Sequence, residues 1–284
     1  MRFNTEVIVS TYNNPFALNL TLLSLSHQTR GDFSVCVADD GSKEATSQLI
    51  EEWRERFGVE RLRHVWHPDN GFQKNVILNK AIASSTADYL IFMDGDCIAA
   101  KIFVARHMEA RRKGFFLSGG MCRMPASVTP KLNEGLITSG AIFSHAWLRA
   151  NNCLTSLSEC LKASLVPRTI SDCLELLTPV KCTWNGANSS GWRDDILRVN
   201  GFEETMAYGS EDVELGYRLN NIGVKCRHVR YSATLLHIDH ARPYADRSIA
   251  QANKIEAKMA RKTGKLWAIS GIKKDMLPPL VQDV

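Results

Sequence analysis

Four short apolar runs alternating with segments of helical spacing set the strongest limit on how this chain folds. The runs are Glu6-Val7-Ile8-Val9-Ser10-Thr11, Phe33-Ser34-Val35-Cys36-Val37-Ala38, Leu62-Arg63-His64-Val65-Trp66 and Tyr89-Leu90-Ile91-Phe92-Met93-Asp94. Leu18, Leu22 and Leu25, then Ile50, Trp53 and Phe57, then Val76, Ile77, Ala81 and Ile82 mark the apolar sides of the helices between them. Parallel strands need a crossover connection, so strands alternating with helices of about 12 residues predict βαβ units and a mostly parallel sheet. Such a sheet binds ligands beyond the carboxyl ends of its strands. The polar turns Tyr12-Asn13-Asn14-Pro15, Asp39-Asp40-Gly41-Ser42 and Gly95-Asp96 all fall on that edge.

The fourth run carries the sharpest chemical signal. A continuous apolar stretch fits a strand buried on both faces. It ends in Asp94-Gly95-Asp96, two carboxylates on a short turn, which suits a hard divalent cation such as Mg2+ or Mn2+. A solvated acidic turn gives the same pattern, so the neighbouring motifs decide. No G-x-G-x-x-G follows the first strand and no G-x-x-x-x-G-K-[ST] is present, which counts against dinucleotide and P-loop folds.

Beyond Asp96, residues 102–113 read as helical and Phe115-Phe116-Leu117-Ser118-Gly119-Gly120 as a strand and turn. From Met121 to Lys181 the pattern loosens. Leu154, Leu157, Leu161 and Leu165 give one short helix between prolines 125, 130, 167 and 179, an insertion expected to pack over the site. Asn185-Gly186-Ala187-Asn188-Ser189 follows. Then comes Gly209-Ser210-Glu211-Asp212, where Ser210 is placed to cap a helix with two acids in its first turn. His237-Ile238-Asp239-His240 ends a last apolar segment.

Hydrophobic residues make up 44% of the chain, yet no apolar stretch approaches the roughly 20 residues that span a bilayer. The start of the chain runs straight into a strand without a secretory leader, and the eight cysteines form no Cys-x-x-Cys pair. Reduced thiols and a cytoplasmic location are therefore expected. The formal charge of +5 lies wholly at the carboxyl end, where residues 241–284 hold 9 basic and 4 acidic residues. Ile255, Met259 and Lys262 recur there at helical spacing. A basic, partly apolar helix of this kind can lie on an anionic membrane surface, here the inner face, or pack on the body of the protein. Nucleic acid is not expected, since the tail has no interleaved aromatics.

Taken together, these motifs resemble those of the GT-A fold glycosyltransferases of family 2, over roughly residues 5–245. The second half looks like the galactosyltransferase-type carboxyl-terminal region of polymerising and lipopolysaccharide enzymes. The resemblance implies an α/β fold, a Rossmann-like mostly parallel central sheet flanked by helices, with a helical carboxyl-terminal tail. It divides the chain into a nucleotide-sugar-binding half (1–120), an insertion (121–182), an acceptor-binding and catalytic-base half (183–244) and the tail (245–284). By the same resemblance, Ser10, Thr11, Tyr12, Asp39, Asp40, Lys74, Asn75 and Asp94 bind the nucleotide of a UDP-sugar, and Asp96, Asp94, His237 and His240 hold Mn2+ or Mg2+. Asn185, Gly186 and Asn188 line the sugar and acceptor pocket, although Ala187 stands where the family has a second glycine. Trp184 could stack on a sugar or belong to the core. Asp212 is the expected base and Glu211 a ligand for hydroxyls, with the two roles open to exchange.

The implied activity is inverting transfer of a hexose or N-acetylhexosamine from a UDP-sugar to a hydroxyl of a surface glycan or glycolipid acceptor, such as lipopolysaccharide or capsule. Two other readings are a nucleotidyltransferase and a non-catalytic nucleotide-sugar-binding subunit. Ser10-Thr11-Tyr12-Asn13-Asn14 lacks the glycine-rich, basic first loop of the former, and intact Asp94, Asp96 and Asp212 argue against the latter.

Overall fold

The computed structural model describes residues 3–163, 167–177, 180–239 and 246–273. The first half is the expected alternation: β1 (Thr5–Thr11), α1 (Pro15–Ser26), β2 (Ser34–Asp39), α2 (Glu44–Phe57), β3 (Leu62–Trp66), α3 (Lys74–Ser84) and β4 (Tyr89–Asp94). Asn14 opens α1 by accepting a hydrogen bond from the Ala17 amide, and Pro15 occupies the first turn, where its missing N–H is no loss. After β4 come β5 (Cys97–Ala99), α4 (Phe103–Ala110), β6 (Phe115–Gly119) and β7 (Met121–Met124). The helix expected over 102–113 is thus shorter, because Arg111 turns extended at its end.

The insertion differs from expectation. Instead of one short helix it contains α5 (Glu134–Ser139), α6 (His145–Ala150), α7 (Leu157–Ala163) and α8 (Arg168–Leu177), with two 3₁₀ turns among the first of them. Leu165 and Pro179 lie outside the described residues. Ile137, Ile142, Phe143 and Leu148 join the core cluster that holds α1 and α2, so this segment braces the flank of the sheet. The chain then runs through β8 (Asn188–Trp192), α9 (Arg193–Arg198), α10 (Glu211–Asn221), β9 (Lys225–Val229), β10 (Leu235–Ile238) and α11 (Arg247–Thr263).

The central sheet has seven strands in the order β3-β2-β1-β4-β8-β6-β9. All neighbours are parallel except at β8, which runs antiparallel to β4 and β6. Val7, Val9, Val37 and Ile91 face the α1 and α2 layer, while Ile8, Cys36, Leu90 and Phe92 face α3, α9 and α10. That period-two split is why the runs read as continuous apolar segments. A second sheet of three strands, β5-β10-β7, stands at the carboxyl edge.

One expectation fails on the cysteines: Cys182 and Cys226 are joined as a disulfide, their Cα atoms 5.7 Å apart. It fastens the segment before Asn185 to β9. No helix among the described residues is long and apolar enough to cross a membrane.

Candidate active site

Strand direction assembles the site. β1 and β4 end side by side, with Ser10 in register with Asp94. β8 runs the other way, so Asn185 and Gly186, just before it, arrive at the same edge. On β10, His237 pairs across from Cys97 on one side and Arg123 on the other. The result is a cavity of about 700 Å³ lined by Ser10, Thr11, Tyr12, Asp40, Lys74, Asp94, Asp96, Asn185, Gly186, Glu211, Asp212 and His237, among others.

The acidic turn is tightly built. The Gly95 amide donates to the Ser10 carbonyl at 2.7 Å, and a β-carbon at Gly95 would lie 2.9 Å from that same oxygen. Only glycine fits between the two acids. Asp94 Oδ1 accepts from Ser10 Oγ at 2.8 Å and from Lys74 Nζ at 2.6 Å. Burial works to lower the Lys74 pKa, but the charges of Asp94, Glu211 and Asp212 outweigh it, so the ammonium stays protonated. His237 Nε2 stands 3.6 Å from Asp96 Oδ2. A carboxylate and an imidazole facing one cavity at this spacing are a suitable donor pair for Mn2+, and the Asp96, Cys97 and His237 donor atoms all lie within 4.8 Å of one another.

Across the cavity, the first turn of α10 presents the second acidic pair. Asp212 Oδ2 accepts from the Gly186 amide and Oδ1 from the Val213 amide, both at 2.8 Å. Glu211 Oε2 accepts from the Gly209 amide at 2.7 Å. Burial, then the charge of Asp212, pushes the Glu211 carboxyl up to about 7; burial also raises Asp212. Ser210 does not cap α10 as expected. Its φ of 67° is left-handed and its side chain makes no cap bond, and the Glu211 carboxylate binds the Gly209 amide instead.

Four predicted contacts do not reach the cavity. Asp39 is fully buried, accepting from the Ser42 amide and bonding His64, while its neighbour Asp40 lines the site with its oxygens on His67 and the Gln73 amide. Asn75 faces inward and donates to the carbonyls of Glu203 and Met206. Trp184 is core, packed on Phe92 and Phe116. Asn188 is buried and donates to the carbonyls of Gly120 and Ala233, which leaves its Oδ1 to accept from His107 Nε2 at 3.0 Å. His107 then accepts from Ser190 Oγ, which accepts from Tyr89. This relay needs a neutral imidazole, and burial lowers the His107 pKa to about 4. His240 lies outside the described residues.

The sequence reading missed Arg123, Phe72 and Tyr208, which also line the cavity. For Arg123 the signal was present: in Met121-Cys122-Arg123-Met124 the buried residues Cys122 and Met124 alternate with the exposed arginine.

Comparison with known proteins agrees with this architecture. Residues 6–120 match the glycosyl transferase family 2 profile. Over these residues the chain is similar to glycosyl transferase family 2. Hyaluronan synthase from Pasteurella multocida is 28% identical over 230 residues, which are 77% of this chain and 23% of that enzyme. The chain spans 23–64% of the length of the first curated relatives it matches. Among solved structures, S. aureus TarS 1–349 in complex with UDP-GlcNAc superposes with a TM-score of 0.62 at 15% identity, covering 98% of this chain and 68% of that one. A mannosyltransferase from Pyrobaculum calidifontis, solved with GDP-Man and Mn2+, superposes at 0.58 and 18% identity, covering 93% and 65%. The likeness confirms the GT-A fold.

Proposed function

We propose that this family 2 domain moves a hexose or N-acetylhexosamine from a UDP-sugar to a hydroxyl of a glycan or glycolipid, with inversion at the anomeric carbon. The observation that carries this reading is the convergence of two acidic pairs from opposite sides of one cavity. Asp94 and Asp96 stand on the β4 turn, and Glu211 and Asp212 stand on α10. The donor assignment draws on the TarS complex with UDP-GlcNAc, and a glycan acceptor on the hyaluronan synthase relative.

In this reading Asp40 and Tyr12 flank the base and ribose, and the Lys74 ammonium meets the diphosphate. Asp96 and His237, with Asp94 beside them, hold a divalent cation. When bound, that ion stabilises the charge developing on the leaving UDP. Asp212, fixed by two backbone amides, takes the proton of the acceptor hydroxyl as it attacks, a role typically giving ~10²–10⁴-fold. Asn185 and Gly186 form the wall beside it and Glu211 binds hydroxyls. One base and direct attack give inversion. The acceptor is a lipid-linked or surface glycan, which is consistent with the exposed basic face of α11.

The test is a panel of UDP-sugars, with Mn2+, against simple glycan acceptors, reading UDP release and product linkage by NMR. Transfer from one UDP-hexose or UDP-N-acetylhexosamine with a β-linked product from an α-linked donor is expected. An α-linked product would overturn the single-base mechanism. Nucleotide-sugar synthesis from a sugar phosphate would overturn the assignment.

A further inference from the structure

Helix α11 reaches the site from behind. Its inner face is made of small or polar side chains, with Asn253, Ala257 and Ala260 buried against α10, while Ile255 and Met259 point outward. An asparagine buried in an alanine-lined seam is unfavourable unless its amide finds partners. Asn253 Nδ2 donates to the carbonyls of Ala207 at 3.0 Å and Tyr208 at 3.4 Å. Those carbonyls immediately precede Gly209-Ser210-Glu211-Asp212.

One turn earlier on α11, Ala250 closes on the same segment. Gly209 has a φ of 109°, and a β-carbon there would lie 2.8 Å from Ala250 Cβ. Ser210 follows at a φ of 67°, also left-handed. Two successive residues in this region form a turn that isolated chains rarely populate. It persists where the surroundings leave no alternative. The far end of α10 is held by the same helix and the residues just past it, because Asn221 Nδ2 donates to the carbonyls of Ala260 and Lys265.

We infer that Asn253 is a positioning residue: by gripping the Ala207 and Tyr208 carbonyls it fixes the turn that aims Glu211 and Asp212 into the cavity. This rests on the reading of those two carboxylates given above. Asn253 itself lines no part of the cavity, so it touches neither donor nor acceptor. The residues assigned to the nucleotide, Asp40, Lys74 and Asp94, stand on other elements.

The test uses the full chain with Asn253→Asp, which keeps the shape and removes the donor, and Asn253→Ala. Three quantities are read: kcat for the UDP-sugar found by the panel, calorimetric UDP affinity with Mn2+, and amide hydrogen exchange across residues 207–213. Displacing a catalytic group by about 1 Å can cost ~10²-fold, so kcat should fall about 10- to 100-fold. UDP affinity should stay within about twofold, while the amides of Gly209 and Val213 exchange about tenfold faster and those of β1 and β4 do not change. Unchanged exchange in the turn would overturn the inference whether or not the wild-type protein shows turnover. So would a kcat and a UDP affinity that fall together in proportion to the folded fraction in a thermal melt, the result of a merely structural role. If the wild-type protein releases no UDP from any donor but the exchange result holds, the transferase reading fails and the positioning role stands.

Discussion

At Asp94 a single oxygen takes both the Ser10 hydroxyl and the Lys74 ammonium. A charge-assisted hydrogen bond contributes about 1.5–3 kcal/mol, so Lys74→Met should weaken UDP by roughly 10- to 100-fold in calorimetry. An unchanged affinity would remove Lys74 from the nucleotide site. The facing acids make a pH prediction. Because Glu211 is raised to about 7 by burial and by Asp212, the pair holds a proton below that pH and loses it above. Turnover that needs a free carboxylate should therefore drop as pH falls through about 7. Glu211→Gln removes the like charge beside Asp212, so the limb of its residual activity should move to lower pH. A limb that stays near 7 would place it on another group. Much at this scale was legible, because Asp40, Lys74, Asp94, Asp96, Asp212 and His237 sit where strands or helices meet the edge. Two of the failures share a cause. Asn75 is one residue past Lys74, about 100° round the helix, so it faces the carbonyls of the 203–206 loop and not the cavity. Asp39 and Asp40 point to opposite sides, as successive strand-end residues do.

Within α10, Arg218 and Glu214 form a fully buried ion pair, with Arg218 Nε 2.9 and 2.8 Å from the two Glu214 oxygens, while a bond from Arg218 to the Val199 carbonyl and an ion pair from Lys265 Nζ to Glu214 at 3.1 Å tie the helix to its surroundings. Removing one partner of such a pair typically costs about 3–5 kcal/mol, so Arg218→Met should lower the urea midpoint accordingly. A change below about 1 kcal/mol would mean that Lys265 alone compensates the buried Glu214 charge. Helix α11 presents Lys254, Lys258, Arg261 and Lys262 on its exposed surface together with Ile255 and Met259, 54% and 47% exposed. The sequence reading left membrane contact and packing as alternatives, and packing is shown: the inner face lies on α10, and among the described residues the outer face is exposed. Arg242 and Lys274, counted in the basic excess, lie outside the described residues. Co-sedimentation with anionic vesicles at low salt is expected, lost at high salt and in a Lys254→Glu, Lys258→Glu variant, since each cation near such a surface contributes about 1 kcal/mol. Equal recovery with neutral vesicles would contradict it. The short helices of the insertion were illegible because six-residue elements such as α5 and α6 are set by tertiary packing more than by periodicity.

For the whole molecule, sequence periodicity fixes the parallel half, whereas the site depends on the reversed strand β8 and the small β5-β10-β7 sheet, which bring Gly186 and His237 to the β4 turn from far along the chain. No local pattern in Asn188–Trp192 announces an antiparallel partner, since a strand buried on both faces reads alike in either direction. The buried relay through His107 is equally silent in sequence, because its members are far apart and each alone is ordinary. The proposed function requires that the assembled cavity bind a uridine diphosphate through a cation held by Asp96 and His237. Calorimetry of UDP with Mn2+ and with EDTA, on the wild-type chain and on Asp96→Ala, tests it most directly. Binding at least about tenfold weaker in EDTA is expected, a difference of about 1.4 kcal/mol, with that difference lost in Asp96→Ala. Equal UDP affinity with Mn2+ and with EDTA in the wild-type chain would contradict it.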